Sequence, residues 1–301
     1  MTELNQKRPL VFGHRGASGY RPENTLEAFE LAFAQGADAI ECDLVPTKDG
    51  ELIIRHDNFL AATTDIASKP ALAAKARVGK TGWRKTSSDW FTEDLTLAEI
   101  KQLRATERLA DLRPGSAKFD GQFEVPTLDE LLAAPFAAGK TLILEVKRAA
   151  DFAAVGIPVA AIMARKLRES DWQQRGIKII IESFEAKALD QLKRTCGDVG
   201  EYVFLVEHHD FPVDQADQLA FLTAVAERFD GVSPNSRVIF ENPEVVEMAH
   251  YLGLKVFTWT ARAEDAENSI EEYYAKFILS GVDGIFADQP DLLAEVVAGL
   301  T

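Results

Sequence analysis

Short apolar runs of strand length recur along the chain, each bounded by Gly, Pro or acidic residues, and most are followed by a segment with helical periodicity. The runs cover residues 10–13, 39–45, 51–56, 141–147, 178–183, 202–207, 231–234, 255–260 and 284–287, which makes nine predicted strands. Only Pro46-Thr47-Lys48-Asp49-Gly50 separates the second run from the third. A parallel crossover needs about a dozen residues or more, so these two runs predict an antiparallel hairpin. Eight βα units then remain, and their strands are apolar throughout rather than alternating. That pattern predicts an α/β fold of the (β/α)8 TIM barrel type. The alternative is an open doubly wound sheet, but no G-x-G-x-x-G follows any strand. Gly79-Lys80-Thr81 resembles the end of a phosphate-binding loop, yet Ala74 stands where its first glycine belongs.

Helix signals fit the alternation. Asn24 with Glu27 reads as a variant capping box, Leu26, Phe29, Ala32 and Phe33 share one face, and Gly36 ends the helix. Thr127 with Glu130 opens another helix. The stretch between Asp57 and Glu124 breaks the rhythm: it shows no strand and one helix, over residues 96–103. A structureless loop of that length is unusual in a compact domain. The whole chain, 1–301, therefore reads as one barrel domain, with 58–124 as a small inserted subdomain over the barrel mouth.

Charge narrows the partners. With 48 acidic against 33 basic residues the net charge is −15, which disfavours nucleic acid and stable association with an anionic membrane. Residues 1–9 are polar, and no run approaches the roughly 20 apolar residues of a membrane span. The two cysteines, Cys42 and Cys196, are too few for a disulfide framework. A reduced, cytoplasmic protein acting on a small molecule is the expectation; the oligomeric state is left open.

Only five histidines are present, and two of them, in His14-Arg15 and His56-Asp57, bracket a Glu41-x-Asp43 pair on an apolar run. Alternate residues of a strand share a face, so Glu41 projects with Asp43, and Glu145 with Lys147. Strand ends at the carboxyl rim are where barrel enzymes build their sites. Three carboxylates drawn together repel unless a cation neutralises them, and an all-oxygen set suits one hard divalent ion, Mg²⁺ or Ca²⁺. Histidine titrates near neutrality, so the pair suggests acid/base chemistry beside that ion. The plainer alternative for each acid alone is an ion pair with a neighbouring strand. His208-His209-Asp210 reads as a solvated loop, and Ser183 lacks the G-x-S-x-G elbow of a serine hydrolase. Trp259 either lines a pocket at its strand end or packs in the core.

Taken together, the motifs are familiar. The run from His14 to Thr25, with Glu41-Cys42-Asp43-Leu44, Thr47-Lys48-Asp49-Gly50 and His56-Asp57, strongly resembles the glycerophosphodiester phosphodiesterase family. The likeness continues through Val125-Pro126-Thr127-Leu128, Glu145-Val146-Lys147, Ser183-Phe184 and Trp259-Thr260 to the stretch from Gly281 to Asp288, and the segment after Asp57 looks like the family's insertion. The resemblance implies a distorted (β/α)8 TIM barrel that hydrolyses deacylated phospholipids such as glycerophosphocholine and glycerophosphoethanolamine to an alcohol and sn-glycerol 3-phosphate. It implies Glu41, Asp43 and Glu145 as metal ligands, and His14 and His56 as acid/base catalysts. Arg15 and Lys147 then contact phosphate, with Trp259, Glu182 and Phe184 as further substrate-binding candidates. Glu182 departs from the family pattern, which often has glutamine before Ser-Phe, and several relatives with such an insertion carry an export signal.

Two rivals stand beside this reading. A phospholipase D-like activity on lysophospholipids or sphingomyelin needs an apolar groove at the mouth, for which Trp83, Trp90 and Phe91 are the candidates. An inert phosphodiester-binding barrel normally lacks a ligand or a histidine, and neither is missing here.

Overall fold

The protein is described by a computed structural model covering residues 8–81 and 85–300. Its strands are β1 (Leu10–Gly13), β2 (Ala39–Pro46), β3 (Leu52–Ile54), β4 (Arg77–Lys80), β5 (Thr86–Asp89), β6 (Thr141–Val146), β7 (Lys178–Ser183), β8 (Gly200–Val206), β9 (Gly231–Pro234), β10 (Lys255–Ala261) and β11 (Gly284–Ala287). Eight of them run parallel in the order β1-β11-β10-β9-β8-β7-β6-β2, and β1 pairs with β2, Phe12 opposite Ala39. The sheet therefore closes into a barrel with helices between its strands, which excludes the open-sheet alternative. Strand β3 runs antiparallel to β2 as a ninth strand outside the ring, as the short connection requires.

Side-chain alternation explains what fills the barrel and what crowns it. Phe12, Ala39, Ile143, Ile180, Val203, Phe257 and Phe286 point inward and form a separate apolar cluster. Phe12 meets the rings of Phe257 and Phe286 at 5.0 Å each, edge to face. Gly284 gives Phe12 its room, since a Cβ there would lie 2.3 Å from the Phe12 ring. Two positions further along the same strands, on the same face, stand His14, Glu41, Glu145, Glu182, Leu205, Trp259 and Asp288. The intervening residues, such as Cys42, Leu44, Leu144 and Ile181, face outward into the helix-packed core.

Three expectations are corrected. The segment after Asp57 does contain strands: β4 and β5 form an antiparallel hairpin, whose polar, mostly exposed residues carry no apolar alternation to reveal it. Gly79 and Lys80 sit within β4 and form no phosphate loop, in keeping with the glycine missing at Ala74. The helix predicted over 96–103 is a single turn, Leu97–Ile100. The first helix, α1 (Leu26–Ala34), is capped by Thr25, whose hydroxyl accepts from the Ala28 amide at 3.2 Å. Asn24 is drawn away by a stronger partner, described below.

Candidate active site

The loop after β1 is held tightly. Arg15 has φ 54°, in the left-handed region, and Gly16 follows at φ +83°, where a Cβ would lie 2.6 Å from the Ala28 backbone. This turn lays the loop against α1 and aims the Arg15 amide at Glu41 Oε2, to which it donates at 2.8 Å. The Arg15 guanidinium lies 3.1 Å from Glu23 and 3.3 Å from Asp43. Asn24 donates its amide to Asp43 Oδ2 at 2.7 Å and accepts from the Asp43 backbone amide at 3.2 Å. A buried carboxylate thus outcompetes the helix end for this side chain, which is why the cap shifts to Thr25.

Strand register builds the acidic centre. Asp43 stands opposite Glu145, and Glu145 opposite Glu182, on three neighbouring parallel strands. Strands lie about 4.8 Å apart, so in-register acids on one face must crowd. Glu41, Asp43 and Glu145 each offer an oxygen, all within 4.8 Å of one another. Lys147 bridges two of them, 3.0 Å from Asp43 and 2.5 Å from Glu145. Glu41 Oε1 and Glu182 Oε2 are buried without a partner.

Four buried acids thus face two cations, Arg15 and Lys147, and the acid side is in excess. Burial and the repulsion of Asp43 and Glu145 hold the Glu41 carboxyl well above its usual range, and burial with Glu145 does the same for Glu182. Burial pushes Glu145 up to about 7 against the pull of Lys147. For Asp43 burial is outweighed by Lys147 and Arg15, which keep it ionised well below the ordinary value. The unpartnered oxygens and the uncompensated charge fit a hard divalent cation held by Glu41, Asp43 and Glu145.

Both histidines are oriented through Nδ1. His14 Nδ1 lies 2.6 Å from Asp288 Oδ1, and His56 Nδ1 lies 2.9 Å from Asp57 Oδ1. Nδ1–H donating to a carboxylate leaves Nε2 as the free, basic nitrogen of each ring. Burial and the Arg15 charge lower His14, and burial with Arg15 and Lys147 lowers His56 to about 4. His56, the last residue of the third predicted strand, does not pair with β2. The β2–β3 ladder ends at Leu44 opposite Ile54, and Arg55 donates to the Asp43 carbonyl, so His56 arrives past the ladder.

The pieces meet in one cavity of about 130 Å³, lined by His14, Arg15, Glu41, His56, Glu145, Lys147, Glu182, Phe184 and Trp259 among others. Asp43 lies behind this wall, 1 % exposed. Trp259 is a lining residue, its indole donating to the Ser233 carbonyl and its ring meeting Phe184 edge to face at 5.4 Å. Glu207, Thr260, Arg262 and Phe286 also line the cavity and escaped the sequence reading. Asp288 escaped it too, although it stands two positions beyond Phe286 on the inward face. His208 pairs with Glu241, and neither it nor His209 lines this cavity. Of the candidate groove residues, Trp90 and Phe91 do not line this cavity. Phe91 is buried under Arg77 and Trp90 donates its indole N–H to the Leu72 carbonyl, while Trp83 lies outside the described residues.

Fold and site together define a (β/α)8 barrel enzyme with its site at the carboxyl ends of the strands. The chain belongs to the Glycerophosphoryl diester phosphodiesterase family, whose sequence profile matches residues 14–292, and it is thereby an enzyme of the phosphodiester hydrolase class. It is 30 % identical over 292 residues to a glycerophosphodiester phosphodiesterase of Caldanaerobacter subterraneus, covering 96 % of this chain and 98 % of that one. A crystal structure of a glycerophosphoryl diester phosphodiesterase from Silicibacter pomeroyi superposes with a TM-score of 0.74 at 28 % identity, covering 97 % of this chain and 94 % of that one. An Oleispira antarctica phosphodiesterase in complex with its product sn-glycerol-3-phosphate superposes at 0.70 with 25 % identity, covering 97 % of each chain.

Proposed function

We propose that this enzyme hydrolyses glycerophosphodiesters such as glycerophosphocholine and glycerophosphoethanolamine to an alcohol and sn-glycerol 3-phosphate. His14 and His56 serve as its acid/base pair, and one divalent cation, Mg²⁺ or Ca²⁺, is held by Glu41, Asp43 and Glu145. The observation that carries this reading is the opening of both histidines, the acids Glu41 and Glu145, Arg15 and Lys147 into the same cavity. The product bound to the Oleispira relative supports the glycerol phosphate half of the substrate.

A cation bound to the three acids supplies neutralising charge for the phosphodiester. The chain supplies the rest. Arg15 and Lys147, both kept protonated by the acids around them, present positive charge to the phosphate. One histidine takes a proton from the attacking oxygen through Nε2 as the new P–O bond forms. The other returns a proton to the leaving alkoxide as the old P–O bond breaks. Asp57 and Asp288 stabilise the imidazolium that appears at each stage. Phe184 and Trp259 offer apolar surface for the glycerol carbons. We read segment 58–124 as an insertion over the mouth, on the strength of the arginines it sends to Asp57 and Asp288. Among the described residues no helix is long and apolar enough to cross a membrane. Cys42 and Cys196 are unpaired, and on that basis we assign the enzyme to the cytoplasm.

The test is to incubate the purified protein with glycerophosphocholine, glycerophosphoethanolamine, glycerophosphoinositol and a lysophospholipid, and to assay glycerol 3-phosphate from the first three and lysophosphatidate from the last. Release from at least one glycerophosphodiester is expected, abolished by EDTA and restored by Mg²⁺ or Ca²⁺. Product from none of them overturns the reading, and full activity under EDTA overturns its metal.

A further inference from the structure

Both histidine pairs are closed by arginines from a single turn of the chain. Each aspartate uses one oxygen for its histidine and the other for an arginine of this turn, and Asp288 shares that second oxygen with Arg262 as well. Asp57 Oδ2 lies 2.8 Å from Arg108, and Asp288 Oδ2 lies 2.6 Å from Arg113. A carboxylate held at both oxygens, through a charge-assisted hydrogen bond from Arg113 at Asp288 and an ion pair with Arg108 at Asp57, resists rotation about its Cβ–Cγ bond, so the arginine steadies the plane that the imidazole must meet.

The arginines are themselves anchored. Arg108 donates twice to Glu23, at 2.9 and 2.8 Å, the same carboxylate that holds Arg15. Arg113 donates to Glu264 at 2.7 Å and to the Ser18 carbonyl at 3.1 Å, and its side chain is only 6 % exposed. Between them the backbone turns once, the Leu112 and Arg113 amides both donating to the Leu109 carbonyl at 2.9 and 2.7 Å. Glu107 pins that turn, accepting from the Leu109 amide at 2.9 Å and the Ser116 hydroxyl at 2.5 Å. Two dyads on opposite branches of the fold therefore share one scaffold.

We propose that Arg108 and Arg113 are positioning residues which, from one turn, hold His56 and His14 in register for the reaction. The inference rests on the catalytic reading of the two histidines given above. The experiment compares Arg108→Gln, Arg113→Gln, His14→Ala and His56→Ala in steady-state turnover of whichever glycerophosphodiester the substrate panel identifies, alongside ¹⁵N-histidine NMR of the full chain. Each arginine variant is expected to lower kcat about tenfold or more while KM stays within about twofold, because small misplacements of reacting groups weigh on the chemical step. Arg113→Gln should move the ring signals of His14 and spare those of His56, and Arg108→Gln should do the reverse. In an Asp288→Asn background Arg113→Gln should add little further loss, since it acts through that carboxylate.

Arginine variants with parental kcat beside inactive histidine variants would overturn this proposal and leave the catalytic reading standing. Histidine variants with full turnover would overturn the catalytic reading itself. If Arg113→Gln fails to fold, Arg113→Lys keeps the charge but cannot span Asp288, Glu264 and Ser18 together, and it carries the same expectations.

Discussion

The two histidine–aspartate pairs reach the same cavity by different routes. His56 and Asp57 are neighbours in sequence, delivered by the loop after β3, outside the barrel ring. His14 and Asp288 are 274 residues apart and meet only because β1 and β11 lie side by side in the closed barrel. The local pair is the more open, with Asp57 14 % exposed against 4 % for Asp288. Asp288 also carries two arginines, Arg113 and Arg262, within 3.0 Å. A pair built by topology is held by the whole fold; a pair built by adjacency depends on its local strip of chain.

Removing either ring is the largest expected effect. His14→Ala and His56→Ala should each lower kcat by at least about 10², the contribution of a general acid/base step, measured as glycerol 3-phosphate release. A parental rate in one of them would reduce the two pairs to one. Next comes the carboxylate behind each ring. Asp288→Asn should lower kcat about a hundredfold and Asp57→Asn about tenfold, because the buried Asp288 has less water to stand in for the lost charge. Equal losses would break the contrast between topological and local support.

The smallest effect concerns stability against pH. His56 is held near 4 when folded and rises to the ordinary value of about 6.5 when unfolded. Between those values the unfolded chain binds a proton that the folded site refuses, so this contribution is full above about pH 6.5 and fades as pH falls toward 4. Glu145, raised to about 7, works in the opposite sense and loses its contribution as pH rises through that range. The comparison with His56→Asn isolates the histidine. Between pH 7 and 5 the parent should lose on the order of 1–2 kcal/mol more than the variant, the 31 % exposure of the ring reducing the full linkage value, read from urea midpoints.

How much of this was readable before the structure follows the same division. Glu41 with Asp43, and Glu145 with Lys147, were legible because side-chain alternation along a strand is a local rule. The barrel was legible because eight apolar runs with crossovers admit few arrangements. Asp288 was passed over although it lies within the motif ending at that residue, because its partner His14 is brought to it by barrel closure. Arg108 and Arg113 were invisible for a related reason: nothing local marks a turn residue that reaches across to two strands. Asn24 was misread as a cap because capping preferences know nothing of a buried carboxylate nearby. The β4–β5 hairpin escaped because strands exposed on both faces carry no apolar period.

Phe286 belongs at once to the aromatic floor of the barrel and to the cavity wall. The floor of the core is thus the bottom of the pocket, and its side-chain volumes act as a depth stop for whatever enters from the mouth. Selection for a longer or shorter ligand must work through residues that also hold the barrel together, so specificity and folding compete for the same few atoms. Enzymes of this build are expected to diversify at the rim, where loops are free to change, and to keep their depth nearly constant.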